Sequence, residues 1–343
     1  MRYSKWLLLA LLAGAAAMGV EGVACADEPL HIRQGWGVST TFAPLIFTEP
    51  SILRHYGKSY VVEPVHFTGS SPELTALAAG ELDIITIAFS TFPIAVQNAN
   101  LTDLRIVADG FQDGVDGYLS QPYFVFKDGP IKRLEDLKGK VIGINVMGGA
   151  VDIAARTMLK EKGLEAGKDY TIIEAPFPTL PAMLYQGKVD LASSVPPFIY
   201  SPELEARTRT LFTMKDAMGP SQIIMLAARA AFLEKHRAQL DDFFEDLVRG
   251  TRWMENPANR SAAITLAARF AKEPESRLDS YYVTKRDEYR DPDCLPNIDA
   301  LQRNIDTERK LGFLKSDFDV RKYVDLSFVK RAAERLKNED NLR

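Results

Sequence analysis

Apolar runs and amphipathic stretches alternate along most of this chain. The runs at 30–36, 60–67, 83–88 and 104–108 are short and rich in apolar and β-branched residues, which predicts strands. Between them, 42–55, 69–80 and 92–97 read as helices. An irregular stretch at 109–121, rich in Gly, Asp and Gln, breaks the pattern and reads as a crossing between two bodies. The alternation then resumes, with strands predicted at 123–126, 141–145, 170–175, 189–193 and 222–228 and helices at 134–140, 151–162 and 180–186. Beyond Ala230 the chain is helical alone, with segments at 232–255, 258–272, 297–311 and 327–336. Strand and helix in alternation predict an α/β fold with mainly parallel sheets.

One phrase occurs twice. Leu77-Ala78-Ala79-Gly80-Glu81-Leu82-Asp83-Ile84 is echoed by Leu184-Tyr185-Gln186-Gly187-Lys188-Val189-Asp190-Leu191. Each reads as a helix end, a glycine that accepts the left-handed cap, an Asp, and then a buried strand. The echo predicts two similar α/β lobes, with a cleft between them as the natural place for a small molecule. Asp83 and Asp190 fall at equivalent strand starts, which points to a structural role rather than a catalytic carboxylate pair.

The first residues carry a different signal. Arg2 and Lys5 precede an apolar run, and Ala24-Cys25-Ala26 supplies a small-x-small cleavage site, so 1–26 reads as a secretory leader and the protein as exported. Acylation at Cys25 is the less favoured alternative, because Gly22-Val23-Ala24 lacks the usual Leu before such a cysteine. Of two cysteines, Cys294 alone would remain, flanked by Pro292 and Pro296, and no internal disulfide is then available. A net charge of −4 with no Lys/Arg cluster argues against nucleic acid as partner. His31, His55, His66 and His236 lack metal-ligand spacing, and no Gly-x-Ser-x-Gly elbow occurs. No enzymatic activity, cofactor or metal is expected.

The chain resembles the periplasmic solute-binding proteins of the nitrate/sulfonate/taurine type that serve ATP-driven (ABC) importers. The residues that carry this are Leu74-Thr75-Ala76-Leu77-Ala78-Ala79-Gly80-Glu81-Leu82-Asp83-Ile84, the stretch 131–141 with its Leu-x-x-Leu-Lys-Gly-Lys core, Gly187-Lys188-Val189-Asp190, Trp253-Met254-Glu255-Asn256-Pro257, and 304–313. The resemblance implies a two-lobed type II periplasmic binding protein fold, with a ligand cleft between lobes and C-terminal helices packed on the first lobe. It places lobe I at 27–115 and 222–343, and lobe II at 116–221. It implies a monomer in the periplasm that takes up a small ligand by lobe closure and delivers it to the permease and ATPase of an ABC importer. A periplasmic sensor subunit for the same ligand, or a carrier of a neutral pyrimidine or vitamin precursor, are the alternatives.

Ligands of open α/β sheets sit beyond the carboxyl ends of strands, and four loops qualify. Trp36, Thr40, Thr41 and Phe42 follow the first strand, offering hydroxyls and helix-start amides for an anion and aromatic cover for an apolar body. Ser90, Thr91 and Phe92 follow the first echo. Gly148, Gly149 and Ala150 open a helix with closely approachable backbone N–H groups, though no Gly-Lys-Ser/Thr follows as in a P-loop. Pro196 and Pro197 offer a rigid apolar wall. Gln112, Asp113 and Tyr123 lie near the first crossing and read as hinge or core residues. With no Lys, Arg or His in these loops, an organic anion with an apolar body is favoured, an aromatic or aliphatic carboxylate or sulfonate, unless a distant group such as Arg229 folds in.

Overall fold

The computed structural model describes residues 28–37, 42–99 and 101–341. The expected leader with Cys25, and the site candidates Thr40 and Thr41, lie outside the described residues.

The described strands form two five-stranded sheets. The first has the order β2 (Tyr60–His66), β1 (Leu30–Trp36), β3 (Ile84–Ala88), β10 (Ser221–Arg229), β4 (Leu104–Asp113). The second has the order β7 (Thr171–Glu174), β6 (Val141–Ile144), β8 (Leu191–Ser193), β5 (Pro122–Phe126), β9 (Thr208–Thr213). β1 is parallel to β2 and β3, and β6 is parallel to β7 and β8. β10 is antiparallel to β3 and β4, and β5 to β8 and β9. Each sheet is thus a parallel trio extended by an antiparallel pair. The strand that joins the trio is the one that has just crossed from the other sheet.

The echoed phrase has the same job in both sheets. Gly80 and Gly187 end their helices at φ of 76° and 67°, a left-handed conformation that only glycine takes without strain. Asp83 then accepts the backbone N–H of Arg33 at 2.9 Å, and Asp190 accepts that of Val141 at 2.9 Å. Each carboxylate pins the start of its own strand to the neighbouring parallel strand, Asp83 at the middle of β1 and Asp190 at the first residue of β6. Asp83 also takes two bonds from the Arg33 guanidinium.

Three expected elements differ. The helix expected over 42–55 is broken into Phe42–Leu45 and two short 3₁₀ turns, because Ala43 precedes Pro44 and sits at ψ 143°, and Pro50 opens a new turn. β4 runs through the Gly- and Asp-rich stretch to Asp113, which pairs with Ser221, so the crossing itself is shorter than 109–121. Gly110 makes this possible, since a Cβ there would stand 2.8 Å from Ile224 Cγ2 on β10. β9, whose Thr-Arg-Thr-Leu-Phe-Thr is β-branched and aromatic, was not among the expected strands.

One apolar cluster runs from the first sheet through Phe111, Tyr123, Phe212 and Met214 into the second. Another fills the opposite face of the first sheet beneath the helices Arg237–Glu255 and Ser327–Asn341, which pack against each other. A third lies behind β5 and β8.

Candidate functional site

Strand direction fixes where a site can form. β4 ends at the first crossing, and β1 and β3 run parallel to it, so all three turn their carboxyl ends toward that crossing. In the second sheet β5 begins at the crossing, and Tyr123 pairs with Ser193 at the end of antiparallel β8. β8 and its parallel neighbour β6 therefore also end there. The loops after β1, β3, β6 and β8 gather on the side of each sheet where the chain passes between them.

Trp36 closes β1, half-buried, its ring 4.4 Å from His66 and 4.8 Å from Phe270. Phe42 is buried, with the Arg290 guanidinium 4.2 Å above its ring. Ser90 is buried and Thr91 half-buried. The Thr91 side chain does not cap the helix Phe92–Asn98 that it precedes, which leaves its hydroxyl for another partner. Phe92, expected at the ligand, is fully buried edge-on to Phe318 and Tyr323, so its ring supports the loop from within the core.

The glycine loop was expected to offer open N–H groups. In the structure they are in use. Gly148 N–H donates to Asp152 Oδ2 at 2.8 Å, Met147 N–H to Glu174 Oε1, and Gly149 N–H to Val146 O at 3.2 Å. Asp152, wholly buried, is fixed in turn by Arg156 Nε at 2.7 Å. The positive end of the helix Ala150–Lys160 is thus answered by a carboxylate of its own first turn. Both glycines are needed for this fold-back: Gly148 has φ of 73°, and a Cβ on Gly149 would stand 2.7 Å from Val146 Cγ1. Val146 and Met147 are left outward at 47% and 55% exposure, an apolar edge beside the loop.

Pro196 is buried and Pro197 half-buried. Just before them, Ser193 Oγ donates to Pro122 O and Ser194 Oγ to Phe177 O, so these hydroxyls serve the fold. Gln121 Nε2 reaches Ser193 Oγ at 3.1 Å and links the crossing to this loop. Asp113 anchors the crossing: it accepts Ser120 Oγ at 2.7 Å and Gln121 N–H at 2.6 Å, and Ser120 Oγ accepts Lys215 N–H from the return crossing. Burial pushes the Asp113 carboxyl up to about 6, although both hydrogen bonds favour its charged form. Tyr123 is core, stacked on Phe212 with its hydroxyl donating to Val151 O.

Arg229 does not fold in. It ends an antiparallel strand, which places it at the far end of the sheet, paired with Asp103. The buried arginine near the site is Arg290, held by Asp287 at 3.0 Å. Two amide side chains also went unread in the sequence. Asn145, directly after β6, has a buried Oδ1 with no partner, and Gln34 on β1 is fully buried with both polar atoms unpartnered. Buried polar atoms in native folds are nearly always satisfied, so Asn145, placed at a strand's carboxyl end, is a candidate contact for a bound molecule. Cys294 is buried, donates to Thr251 Oγ1, and its pKa is raised by burial, which makes it a poor nucleophile. Among the described residues no group of three or more His, Cys, Asp or Glu is placed to hold a metal ion.

The NMT1-like family matches residues 26–268. No curated protein matches by sequence. Among solved structures, the periplasmic aliphatic sulphonate binding protein SsuA of Escherichia coli aligns with a TM-score of 0.68 at 19% identity, over 87% of this chain and 92% of that one. The periplasmic nitrate-binding protein NrtA of Synechocystis PCC 6803 aligns with a TM-score of 0.69 at 14% identity, over 90% and 89%. The desulfurization enzyme DSZB aligns with a TM-score of 0.64 at 14% identity, over 89% and 99%. The fold is therefore the two-lobed α/β fold of type II periplasmic binding proteins, which also hosts an enzyme.

Proposed function

From the premise that the chain belongs to the NMT1-like family, we propose that it is the periplasmic substrate-binding component of an ABC importer. In this reading lobe I is 27–115 with 222–343, and lobe II is 116–221. A small organic anion, a carboxylate or sulfonate with an apolar body, docks between the lobes. The lobes then close over it, because a ligand that touches both favours the closed state. The observation that carries this is the strand polarity, which turns the loops of both sheets toward the crossings. Ser90, Thr91 and the unpartnered Asn145 oxygen supply polar contacts, while Trp36, Val146 and Met147 suit an apolar body. The two solved binding proteins named above take a sulphonate and nitrate.

One observation favours a second reading, a neutral ligand such as a pyrimidine. Asp152 and Glu174 already occupy the N–H groups of the glycine loop, so negative charge stands where an anion was expected. A thermal-shift panel of aliphatic and aromatic carboxylates, sulfonates, nitrate and pyrimidines separates the two. A ligand that binds only the folded chain raises its melting temperature by mass action. A shift with an organic anion supports the first reading; a shift with pyrimidines alone replaces it with the second.

A further inference from the structure

The segment 281–290 leaves the core of the first sheet and lies against the other body. Tyr281 is buried in the cluster beneath the C-terminal helices. Its ring stacks on Tyr200 at 5.3 Å between centroids, and Tyr200 packs against both that cluster and the one behind β5 and β8. The Arg286 guanidinium lies 4.2 Å from the centre of the Tyr200 ring, with its Nη2 3.3 Å from Glu205 Oε1. The Tyr200 hydroxyl donates to the Arg286 carbonyl. The segment is also tied to the end of β4 through Gln112 N–H to Tyr289 O, and to the first crossing through Leu119 N–H to Asp287 O and Lys285 Nζ to Asp116 O.

We infer that residues 281–290 form a strap that sets the balance between lobe geometries, with Arg286 on the Tyr200 ring as its clasp. The inference rests on the two-lobe closure reading above. The chain passes between the sheets twice covalently, and this segment adds a noncovalent contact between the bodies, separate from the packing of the helix Ile298–Lys310 on Ala150–Lys160 and Met214–Met218. Of its parts, the Arg286–Glu205 pair is about half exposed at both ends and contributes little, as exposed ion pairs do. The Tyr200–Tyr281 stack is more buried, and with the cation laid over the Tyr200 ring it carries the clasp. Loosening it shifts the ratio of lobe geometries by about two- to fivefold, the scale of one half-exposed cation–π contact.

The test measures the distance between the lobes directly and needs no ligand. Spin labels go on Glu63→Cys of β2 and Thr171→Cys of β7, both exposed, in a Cys25→Ser background; buried Cys294 stays unlabelled. Double electron–electron resonance on the full chain should give one dominant separation with the strap intact. Arg286→Ala, at a half-exposed position that tolerates truncation, should add a second population. Tyr200→Phe keeps the ring but frees the Arg286 carbonyl, and should give a smaller change. Glu205→Gln should leave the distribution as it was. An unchanged distribution in folded Arg286→Ala overturns the strap, and so does a Glu205→Gln effect equal to that of Arg286→Ala. Because no ligand enters, failure here leaves the importer reading standing, and a silent ligand panel leaves the strap standing.

Discussion

Glu308→Gln should gain stability relative to the parent protein as pH rises from 4 to 8. Glu308 sits on the helix Ile298–Lys310, fully buried, with both carboxylate oxygens unpartnered among the described residues. That helix packs on β10 and on the helices Ala150–Lys160 and Met214–Met218. Burial alone pushes its pKa from 4.5 to about 9, so the folded chain keeps a proton that the unfolded chain releases. The sign follows from linkage. With the folded value raised, the group's contribution is intact below about 4.5 and is lost as pH rises toward 9. Each pH unit above 4.5 costs about 1.4 kcal/mol, so holding the proton at pH 7 costs the fold about 3 kcal/mol. Gln is nearly isosteric and never ionises, so it removes that pH-dependent cost. Its own unpartnered amide adds a constant offset at every pH. Urea midpoints of both proteins from pH 4 to 8 are therefore compared by slope, not by absolute value. The gap should widen in favour of Glu308→Gln as pH rises. A flat gap would mean the carboxyl is solvated, and a gap that closes with pH would mean a cation has found it; either refutes the reasoning.

Three further substitutions probe the fold and the site. Asp246→Ala removes the acceptor of Arg54 N–H, His55 N–H and the buried Tyr60 hydroxyl, each at 2.8 Å, and should cost about 3–5 kcal/mol in urea unfolding, since it strands buried donors. Gly250→Ala should gain about 1 kcal/mol from helix propensity, yet its Cβ would stand 2.2 Å from Ile46 Cγ2. Overpacking of about 1–3 kcal/mol should win, and the double variant with Ile46→Ala should lose less than the two single losses combined. Asn145→Ala removes a buried oxygen that has no partner, so the melting temperature without ligand should hold or rise, while the shift given by whichever panel member binds should fall. An unaltered ligand shift would take Asn145 out of the site.

The parts of the fold legible in the sequence are those whose cause is local. Gly80 and Gly187 stand three residues before Asp83 and Asp190, so the cap and the strand-pinning carboxylate fall within one short phrase. The run of β4 through Gly110 to Asp113 could not be read that way, because what makes it a strand is β10, more than a hundred residues later. The glycine loop lies between these cases. Its N–H groups were visible, and Asp152 was too: an acidic side chain in the first turn of a glycine-capped helix is placed to fold back on that cap. Glu174 was not, since it arrives from the neighbouring strand. Unpartnered atoms such as Asn145 Oδ1 are invisible in a sequence, because hydrogen-bond satisfaction is a property of the assembled fold.

Arg229 and Arg290 carry the same lesson into the site. Both are arginines outside the candidate loops, and nothing in their local sequence ranks one above the other. Strand direction does. β10 returns antiparallel, so its carboxyl end carries Arg229 to the edge of the sheet remote from the crossings. The chain after it must come back along β4, through the Gln112–Tyr289 bridge, and that return lays Arg290 on Phe42. The same return path brings Arg286 onto Tyr200. One reversal of strand direction thus keeps Arg229 away from the cleft and places Arg286 and Arg290 on a segment that also touches the second body. A site of this kind is selected by topology first and by residue chemistry second.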